Sequence, residues 1–164
     1  MSSSTAVLRP GDTLPPLEIP VTRTLIVAGA IASRDYQDVH HDAELAKEKG
    51  SPDIFMNILT TNGLVGRYIT DRLGPGATLR RVAIRLGAPN YPGDTMTLTG
   101  TIEHVEQSEQ AEQAEQAGRA GRAGRAEPGG GAVTVTVGVV GANGIGKHVT
   151  GTVTVTVPVR GGRV

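Results

Sequence analysis

Polar and apolar residues alternate along most of the second half of the chain. From Thr95 to Val105, threonine or glutamate alternates with mainly apolar residues, and a period of two marks a strand with one buried face. Residues 132–140 and 147–157 repeat this pattern in valine and threonine, and the Asn143-Gly144 pair between them is a strong tight-turn signal. The pattern therefore predicts an antiparallel hairpin that follows the strand 95–105.

Two further segments add to this predicted sheet. Residues 79–86 alternate in the same way and are predicted as a strand. The turn-forming residues 90–94, Asn-Tyr-Pro-Gly-Asp, then lead the chain into the strand 95–105. Residues 25–31, in the first half, are also strand-like.

One long helix is predicted in the first half. Apolar residues recur at helical spacing from about Asn57 to Leu73, and Gly74-Pro75-Gly76 ends the helix. Gly63 and Gly66 lie inside it. Because an interior glycine costs about 1 kcal/mol relative to alanine, these two predict a close approach of the helix to a sheet. One long helix wrapped by an antiparallel sheet is an α+β architecture.

Composition places this pattern in one domain and disfavours several classes of function. The chain has 164 residues, which is one domain by length. Lys plus Arg and Asp plus Glu number 16 each, so no net positive charge favours binding to nucleic acid. There are no cysteines, which excludes disulfides and thiolate metal sites and favours a reducing cytoplasm. No apolar run approaches the ~18 residues of a membrane span, and no signal peptide is recognised.

A low-complexity tract interrupts the predicted sheet. Residues 106–131 contain Glu-Gln-Ala-like triplets, then Gly-Arg-Ala triplets and a glycine run, with no Val, Ile, Leu or aromatic side chain. Such a tract buries too little apolar surface to offset the entropy of ordering, so it is predicted as a disordered insertion at a hairpin tip. The predicted organisation is a flexible N-terminus over residues 1–10 and one domain over residues 11–160, interrupted by this insertion.

The residues that could carry chemistry cluster between positions 32 and 42. Asp35 and His40, with four residues between them, would face one cleft if the chain turns there. A carboxyl group beside an imidazole can hold one water molecule, which is what acid/base addition to a double bond requires. Spacing alone favours a structural role, because such a pair often arises by chance. His104 and His148 lie on or near predicted strands and are expected at the surface or on a sheet face.

The neighbouring Asp38, His41 and Asp42 do not predict a metal site. Adjacent residues in an extended segment point in opposite directions. Asp42 is moreover the expected N-cap of a short helix over residues 43–49, which Gly50 ends.

Three segments of the chain resemble a known family. Residues 32–42, Ala-Ser-Arg-Asp-Tyr-Gln-Asp-Val-His-His-Asp, are similar to the motif Ser-Gly-Asp-x-Asn-Pro-(Ile/Leu/Val)-His-x-Asp of MaoC-like (R)-specific enoyl-CoA hydratases. Residues 88–94, Ala-Pro-Asn-Tyr-Pro-Gly-Asp, and 11–16, Gly-Asp-Thr-Leu-Pro-Pro, resemble two further segments of this family. The resemblance extends over about residues 11–105 and 132–158. It implies the hot-dog fold, a long helix wrapped by an antiparallel sheet, in agreement with the α+β pattern.

The resemblance also implies roles for individual residues. In the family the motif Asp and His bind the attacking water together, so Asp35 and His40 are expected to activate water for addition at Cβ and to deliver a proton to Cα. Which of the two is base and which is acid is left open. A backbone N–H at the start of the long helix, here that of Asn57, is expected to stabilise the thioester oxygen. Asn62 is a candidate hydrogen-bond donor to Asp35, with an exposed or core-capping asparagine as the alternative.

One branch of the family is more similar still. Residues 34–42, 50–60 and 67–71 resemble the small hydratase subunit of actinobacterial steroid (cholesterol) side-chain degradation, which shares Arg34 and Gln37-Asp38 in place of the usual glycine and Asn-Pro. The resemblance implies an enoyl-CoA hydratase that acts on a steroid acyl-CoA before an aldolase. Its partner would be a larger subunit that carries a second hot-dog domain and a DUF35-type domain. Coenzyme A would be part of the substrate, and no cofactor is implied.

Two alternatives come from other classes of function. Heteromers can keep one active site and lose another, so the chain could be a non-catalytic hot-dog subunit, although the presence of both Asp35 and His40 argues against this. The hot-dog fold also includes thioesterases and dehydratases, the latter running the reverse reaction. Met56-Asn57 replaces the His-Gly pair of the family. Together with Arg34 and Gln37-Asp38, this difference from the usual family motif argues against a standard short-chain substrate.

Overall fold

Five strands and three α-helices make up residues 8–107 and 131–158, the part of the chain that the structure, a computed structural model, describes. In chain order they are β1 (Thr13–Pro20), α1 (Arg23–Ala32), the 3₁₀ turn Asp38–His40, α2 (Ala43–Glu48), α3 (Ile58–Leu73), β2 (Thr78–Leu86), β3 (Thr95–Gln107), β4 (Ala132–Ala142) and β5 (Lys147–Pro158). None of the helices in these residues is long and apolar enough to cross a membrane.

The strands form one antiparallel sheet in the order β1-β3-β4-β5-β2. On β4 the predicted alternation is present, with Val135, Val137 and Val139 buried and the residues between them half-buried. These valines share one core with Val65, Tyr68 and Ile69 of α3, whose spacing places them on one face of the helix. The long helix therefore packs against one face of the sheet, which confirms the predicted α+β hot-dog fold.

The boundaries of the predicted insertion and N-terminus differ from expectation. Glu106 and Gln107 pair with β4 and therefore belong to β3. Gly131, the last residue of the predicted disordered tract, is described as well, whereas residues 108–130 lie outside the described residues. Residues 1–7 lie outside them as well. Leu8 packs against the core, so the flexibility predicted for residues 1–10 does not extend to Leu8.

Residues 25–31, predicted as strand-like, form most of helix α1 instead. Thr22 caps this helix by accepting the N–H of Leu25 at 3.0 Å. Ile26 and Ala30, four residues apart, are its buried positions. The edge of the sheet is occupied by β1, which pairs with β3 and was not predicted. The apolar run is compatible with either structure locally, and tertiary pairing of β1 decides the outcome.

The two glycines inside α3 differ in their surroundings. A Cβ added at Gly66 would lie 3.1 Å from Leu79 Cδ1 of β2, so the helix does approach the sheet closely there. A Cβ added at Gly63 would meet nothing within 4 Å, and the prediction of close approach is wrong at that position. Gly74 ends α3 with a φ of +94°, as the sequence predicted for the end of the helix.

Candidate functional site

Asp35 is positioned by the end of α1. Its backbone N–H donates to Ala30 O at 2.9 Å, and the N–H of Arg34 donates to Ile31 O at 3.0 Å, which is the hydrogen-bond pattern of a Schellman motif. Arg34 occupies the left-handed position of this motif with a φ of +57°. The motif turns the chain directly after the helix and fixes the backbone from which the Asp35 carboxylate extends.

The backbone of Arg34 predicts a gain in stability on substitution by glycine. A side chain in the left-handed region costs about 1 to 2 kcal/mol, and glycine removes this cost while increasing the freedom of the unfolded chain. We expect Arg34→Gly to raise the free energy of unfolding by about 0.5 to 1 kcal/mol in urea titrations. Arg34→Ala keeps a Cβ in this conformation and should give no gain. An equal gain in both variants would assign the effect to the arginine side chain.

His40 lies in the 3₁₀ turn and is buried, with 6% of its surface exposed. Its Nδ1 is 2.7 Å from Phe55 O, and because a carbonyl oxygen only accepts, Nδ1 carries the hydrogen. The Phe55 N–H donates to Val39 O at 3.0 Å, and the rings of His40 and Phe55 meet edge to face with centroids 5.1 Å apart. These contacts fix the plane of the imidazole and leave Nε2 to face Asp35.

The structure brings the two predicted catalytic side chains together. Nε2 of His40 and Oδ2 of Asp35 are 3.4 Å apart. Neutral His40 has no hydrogen on Nε2, because Nδ1 carries it, and an ionised carboxylate has none either. Two acceptors at this separation can each accept one O–H of the same water molecule. The side chains of His40 and Asp35 are 7% and 19% exposed, so the pair is shielded from bulk solvent without being sealed from it.

The side chain of Asn57 links this pair to the start of α3. Its Nδ2 donates to Asp35 Oδ2 and to Ser33 Oγ, both at 2.9 Å, and its Oδ1 accepts the N–H of Thr60 at 2.9 Å as the N-cap of the helix. From the sequence, only the backbone N–H of Asn57 is expected to have a role. An asparagine directly before a helical pattern is an N-cap signal and could have identified its side chain. Within residues 8–107 and 131–158, Asn62 forms no hydrogen bond with Asp35.

Two contacts hold the start of α3 in place. The N–H of Met56 donates to the backbone oxygen of buried Asn90 at 3.1 Å. Thr61 Oγ1 is 2.9 Å from Nε2 of His148 on β5. Among the described residues, the backbone N–H of Asn57 has no hydrogen-bond acceptor, so this donor and the positive end of the helix dipole are available to a bound oxygen.

His148 lies on β5, one of the two positions expected for it, but it is buried and only 1% exposed, so it is not a surface residue. His104 is exposed. Nδ1 of His148 donates to Ala88 O at 2.7 Å, and Nε2 therefore accepts from the Thr61 hydroxyl when the ring is neutral. Burial lowers the pKa of His148, opposed by its hydrogen bond to Ala88 and by the charge of Asp94.

The lowered pKa of His148 predicts a pH-dependent stability. Above the ordinary histidine value of 6.5 the residue is neutral in both folded and unfolded chains. As the pH falls below this value, the unfolded chain takes up the proton first, so the free energy of unfolding decreases until folded His148 is protonated as well. We expect His148→Asn to be less stable at neutral pH and to lose less further stability between neutral and mildly acidic pH. Thermal unfolding of both proteins across this range measures the difference, and an identical pH slope would contradict the assignment.

The other polar residues of the motif have structural partners. Asp42 caps α2 by accepting two backbone N–H groups, at 3.0 and 3.1 Å, as predicted. Asp38 pairs with Lys49 at 2.7 Å, and this hydrogen bond and charge hold the pKa of Asp38 below its usual value. Nε2 of His41 lies 3.2 Å from Tyr36 O. In the described ranges, no three His, Cys, Asp or Glu side chains cluster to hold a metal ion.

Large apolar side chains near the pair are exposed to solvent. Ile58 and Leu59, in the first turn of α3, are 45% and 48% exposed, and Tyr36, next to Asp35 in the chain, is 65% exposed. Ile31, on the turn of α1 before Asp35, is 57% exposed. An apolar ligand or a protein partner that covered these side chains would remove their apolar surface from water, which is favourable.

Comparisons with known proteins show which family the chain is similar to. The MaoC-like domain family matches residues 6–122. The 3-oxo-4,17-pregnadiene-20-carboxyl-CoA hydratase beta subunit of Mycobacterium tuberculosis is 41% identical over 143 residues, which cover 87% of this chain and 92% of that protein.

Solved structures give the same result. A chain of the ChsH1-ChsH2 complex from Mycobacterium tuberculosis matches with a TM-score of 0.70 and 39% identity, over 94% of this chain and 100% of that chain. The (R)-hydratase from A. caviae involved in PHA biosynthesis matches with a TM-score of 0.69 and 16% identity, over 94% of this chain and 100% of that chain, and shares the fold. From the hot-dog fold and the matched sequence together, the chain belongs to the MaoC-like domain family.

Proposed function

We propose that the chain is the catalytic subunit of an enoyl-CoA hydratase, which adds water across the α,β-double bond of a steroid side-chain acyl-CoA thioester. The observation that carries the proposal is the Asp35–His40 pair, with Oδ2 and Nε2 3.4 Å apart and hydrogen-bonded through Asn57 to the start of α3. The relative from Mycobacterium tuberculosis, named as a hydratase beta subunit, supports this reaction class.

In the proposed reaction His40 takes the first proton. Unprotonated Nε2 accepts a proton from water as the water oxygen bonds to Cβ, and the electron pair of the double bond moves toward Cα and the thioester. The Asp35 carboxylate accepts the second O–H of the water and stabilises the imidazolium that forms beside it. Nε2–H then gives its proton to Cα. One hydrogen and one hydroxyl have been added, and the pair has returned to its starting state.

The charge that develops on the thioester oxygen is assigned to the start of α3. The backbone N–H of Asn57 and the positive end of the helix dipole would stabilise this oxygen as it becomes enolate-like. Because the donor belongs to the backbone, asparagine can serve here in place of the family glycine. The Asn57 side chain turns instead toward Asp35 and Thr60, which supports an unobstructed N–H.

The substrate and partner follow from the branch that the chain resembles. The exposed apolar residues next to Asp35 and Asn57 in the chain, Tyr36, Ile58 and Leu59, fit a bulky apolar acyl group or the subunit that would cover it. We propose a heteromer with a second hot-dog subunit that carries a DUF35-type domain, with an aldolase consuming the product. Coenzyme A would enter as part of the substrate, acid/base addition of water would require no cofactor, and the complex would act in the cytoplasm, where coenzyme A thioesters are made.

The proposal is tested by assaying the chain copurified with its hot-dog partner. A steroid enoyl-CoA and a short straight-chain enoyl-CoA are compared, with loss of the enoyl thioester absorbance and release of free thiol followed together. We expect the steroid substrate to be hydrated faster, with no thiol released. Thiol release in step with substrate loss would indicate a thioesterase. Undiminished hydration by the partner alone would indicate that this chain is a non-catalytic subunit.

A further inference from the structure

We propose that the side chain of Asn57 is a positioning residue that holds the Asp35 carboxylate in place for the reaction. The inference rests on the proposed hydratase function. It gives the side-chain amide of Asn57 a role in addition to its capping of α3. Asn57 is buried, with 2% of its surface exposed, and its side chain donates a hydrogen bond directly to Asp35.

The hydrogen-bond partners of Asn57 fix the orientation of its amide. Oδ1 accepts the backbone N–H of Thr60, which can only donate. Nδ2 must then face Ser33 Oγ and Asp35 Oδ2, and its two hydrogens are used there, one on each. The Ser33 hydroxyl gives its own hydrogen to Gly29 O at 2.7 Å, so its oxygen is free to accept from Asn57. Every polar atom of the amide is satisfied in this one orientation.

Asp35 depends on this amide for its side-chain position. The Schellman motif fixes the Asp35 backbone but not the rotation of the carboxylate. Among the described residues, Asn57 Nδ2 provides the one hydrogen bond to this carboxylate, on the same Oδ2 that faces His40 Nε2. Without it, Oδ2 would be free to rotate away from the shared water.

The same side chain ties Asp35 to the start of α3. Oδ1 caps the helix while Nδ2 holds the carboxylate, so one amide sets the distance between the water site and the helix end that would receive the thioester oxygen. Capping and positioning use different atoms, and substitutions can therefore separate them.

The test compares Asn57→Ser with Asn57→Ala in the copurified complex. Serine keeps a capping oxygen for Thr60 but cannot reach Asp35, whereas alanine loses both contacts. Because a displacement of about 1 Å can cost about 100-fold in rate, we expect both variants to lose about 10- to 100-fold in kcat with KM changed less than about threefold. Asn57→Ala should lower Tm by about 3 to 6 °C more than Asn57→Ser does, because only alanine also loses the helix cap. Asn62→Ser, on the same helix, is the matched control and should keep wild-type kcat and KM.

Wild-type kcat in Asn57→Ser would overturn the inference, as would a loss of kcat that simply follows Tm across the variants. If wild-type complex fails to hydrate any enoyl-CoA, the proposed function fails, and crystal structures then decide the positioning role by themselves. In Asn57→Ser the separation of Asp35 Oδ2 and His40 Nε2 should lengthen by about 0.5 Å or more. An unchanged separation would overturn the inference independently of activity.

Discussion

Asp35→Asn and His40→Ala are each expected to lower kcat for hydration by about 100- to 10,000-fold, as removal of a general acid/base group does. Alanine at position 40 removes the group that takes the proton from water. Asparagine at position 35 keeps the shape of the side chain but presents no ionised carboxylate to the water or to the imidazolium. The measurement is steady-state hydration by the copurified complex, with size-exclusion chromatography to establish that assembly is preserved.

His41→Ala is the matched control for these two variants. His41 directly follows His40 in the chain, but it is exposed, and among the described residues the one hydrogen-bond partner of its ring is the Tyr36 carbonyl. This variant should keep kcat within about twofold of wild type, since substitutions of exposed side chains outside the catalytic pair and the core have small effects. Near-wild-type activity of Asp35→Asn and His40→Ala in an intact complex would move the chemistry to the partner subunit.

Tyr68→Ala is expected to have the largest effect on stability, lowering the free energy of unfolding by about 3 to 5 kcal/mol. Tyr68 lies on the inner face of α3 and is fully buried, at 0% exposure. Its ring packs so closely on β3 that a Cβ added at Gly100 would lie 3.1 Å from Tyr68 Cε1. Truncation would leave a cavity between the helix and the sheet that the surrounding side chains fill only in part. Urea unfolding followed by circular dichroism measures the loss.

Tyr68→Phe separates the ring from its hydroxyl. The hydroxyl donates to Leu14 O over a long 3.4 Å, and burial raises the pKa of Tyr68, so the hydroxyl remains a neutral donor. We expect this variant to lose about 1 kcal/mol, the usual net contribution of one such hydrogen bond. A loss in Tyr68→Phe as large as that in Tyr68→Ala would show that the hydrogen bond, not ring packing, dominates at this position.

The sheet and the long helix could be predicted from the sequence because their burial follows local periods. β4 and most of β3 and β5 alternate every two residues between the core and the other face, and α3 repeats its apolar residues at helical spacing before a glycine with positive φ. For such elements, local preference and tertiary packing favour the same structure.

The structure of the first two elements, β1 and α1, could not be predicted in this way. Residues 25–31 are apolar on nearly every side, so their pattern has no period that separates a buried strand from a buried helix. Their helical state depends on the Thr22 cap and on β1, which takes the edge position beside β3. β1 itself is obscured by two consecutive prolines in its sequence, which edge strands tolerate.

The candidate site was predictable in part, for a related reason. The Asp35–His40 pair lies within one short segment, and the resemblance to a known motif identified both residues. The hydrogen bond from Asn57 to Asp35 joins residues 22 positions apart, and the contact between Thr61 and His148 joins residues 87 positions apart. Contacts of this range depend on how α1, α3 and the sheet meet, which no local pattern specifies.

The central claim is that Asp35 and His40 hold one water molecule for attack on a thioester bound at the start of α3. The most direct measurement is a crystal structure of the wild-type complex with an unreactive saturated steroid acyl-CoA. We expect one ordered water within hydrogen-bonding distance of both Asp35 Oδ2 and His40 Nε2, and the thioester oxygen directed at the Asn57 N–H. A thioester bound away from α3, or no water shared by the two side chains, would contradict the claim.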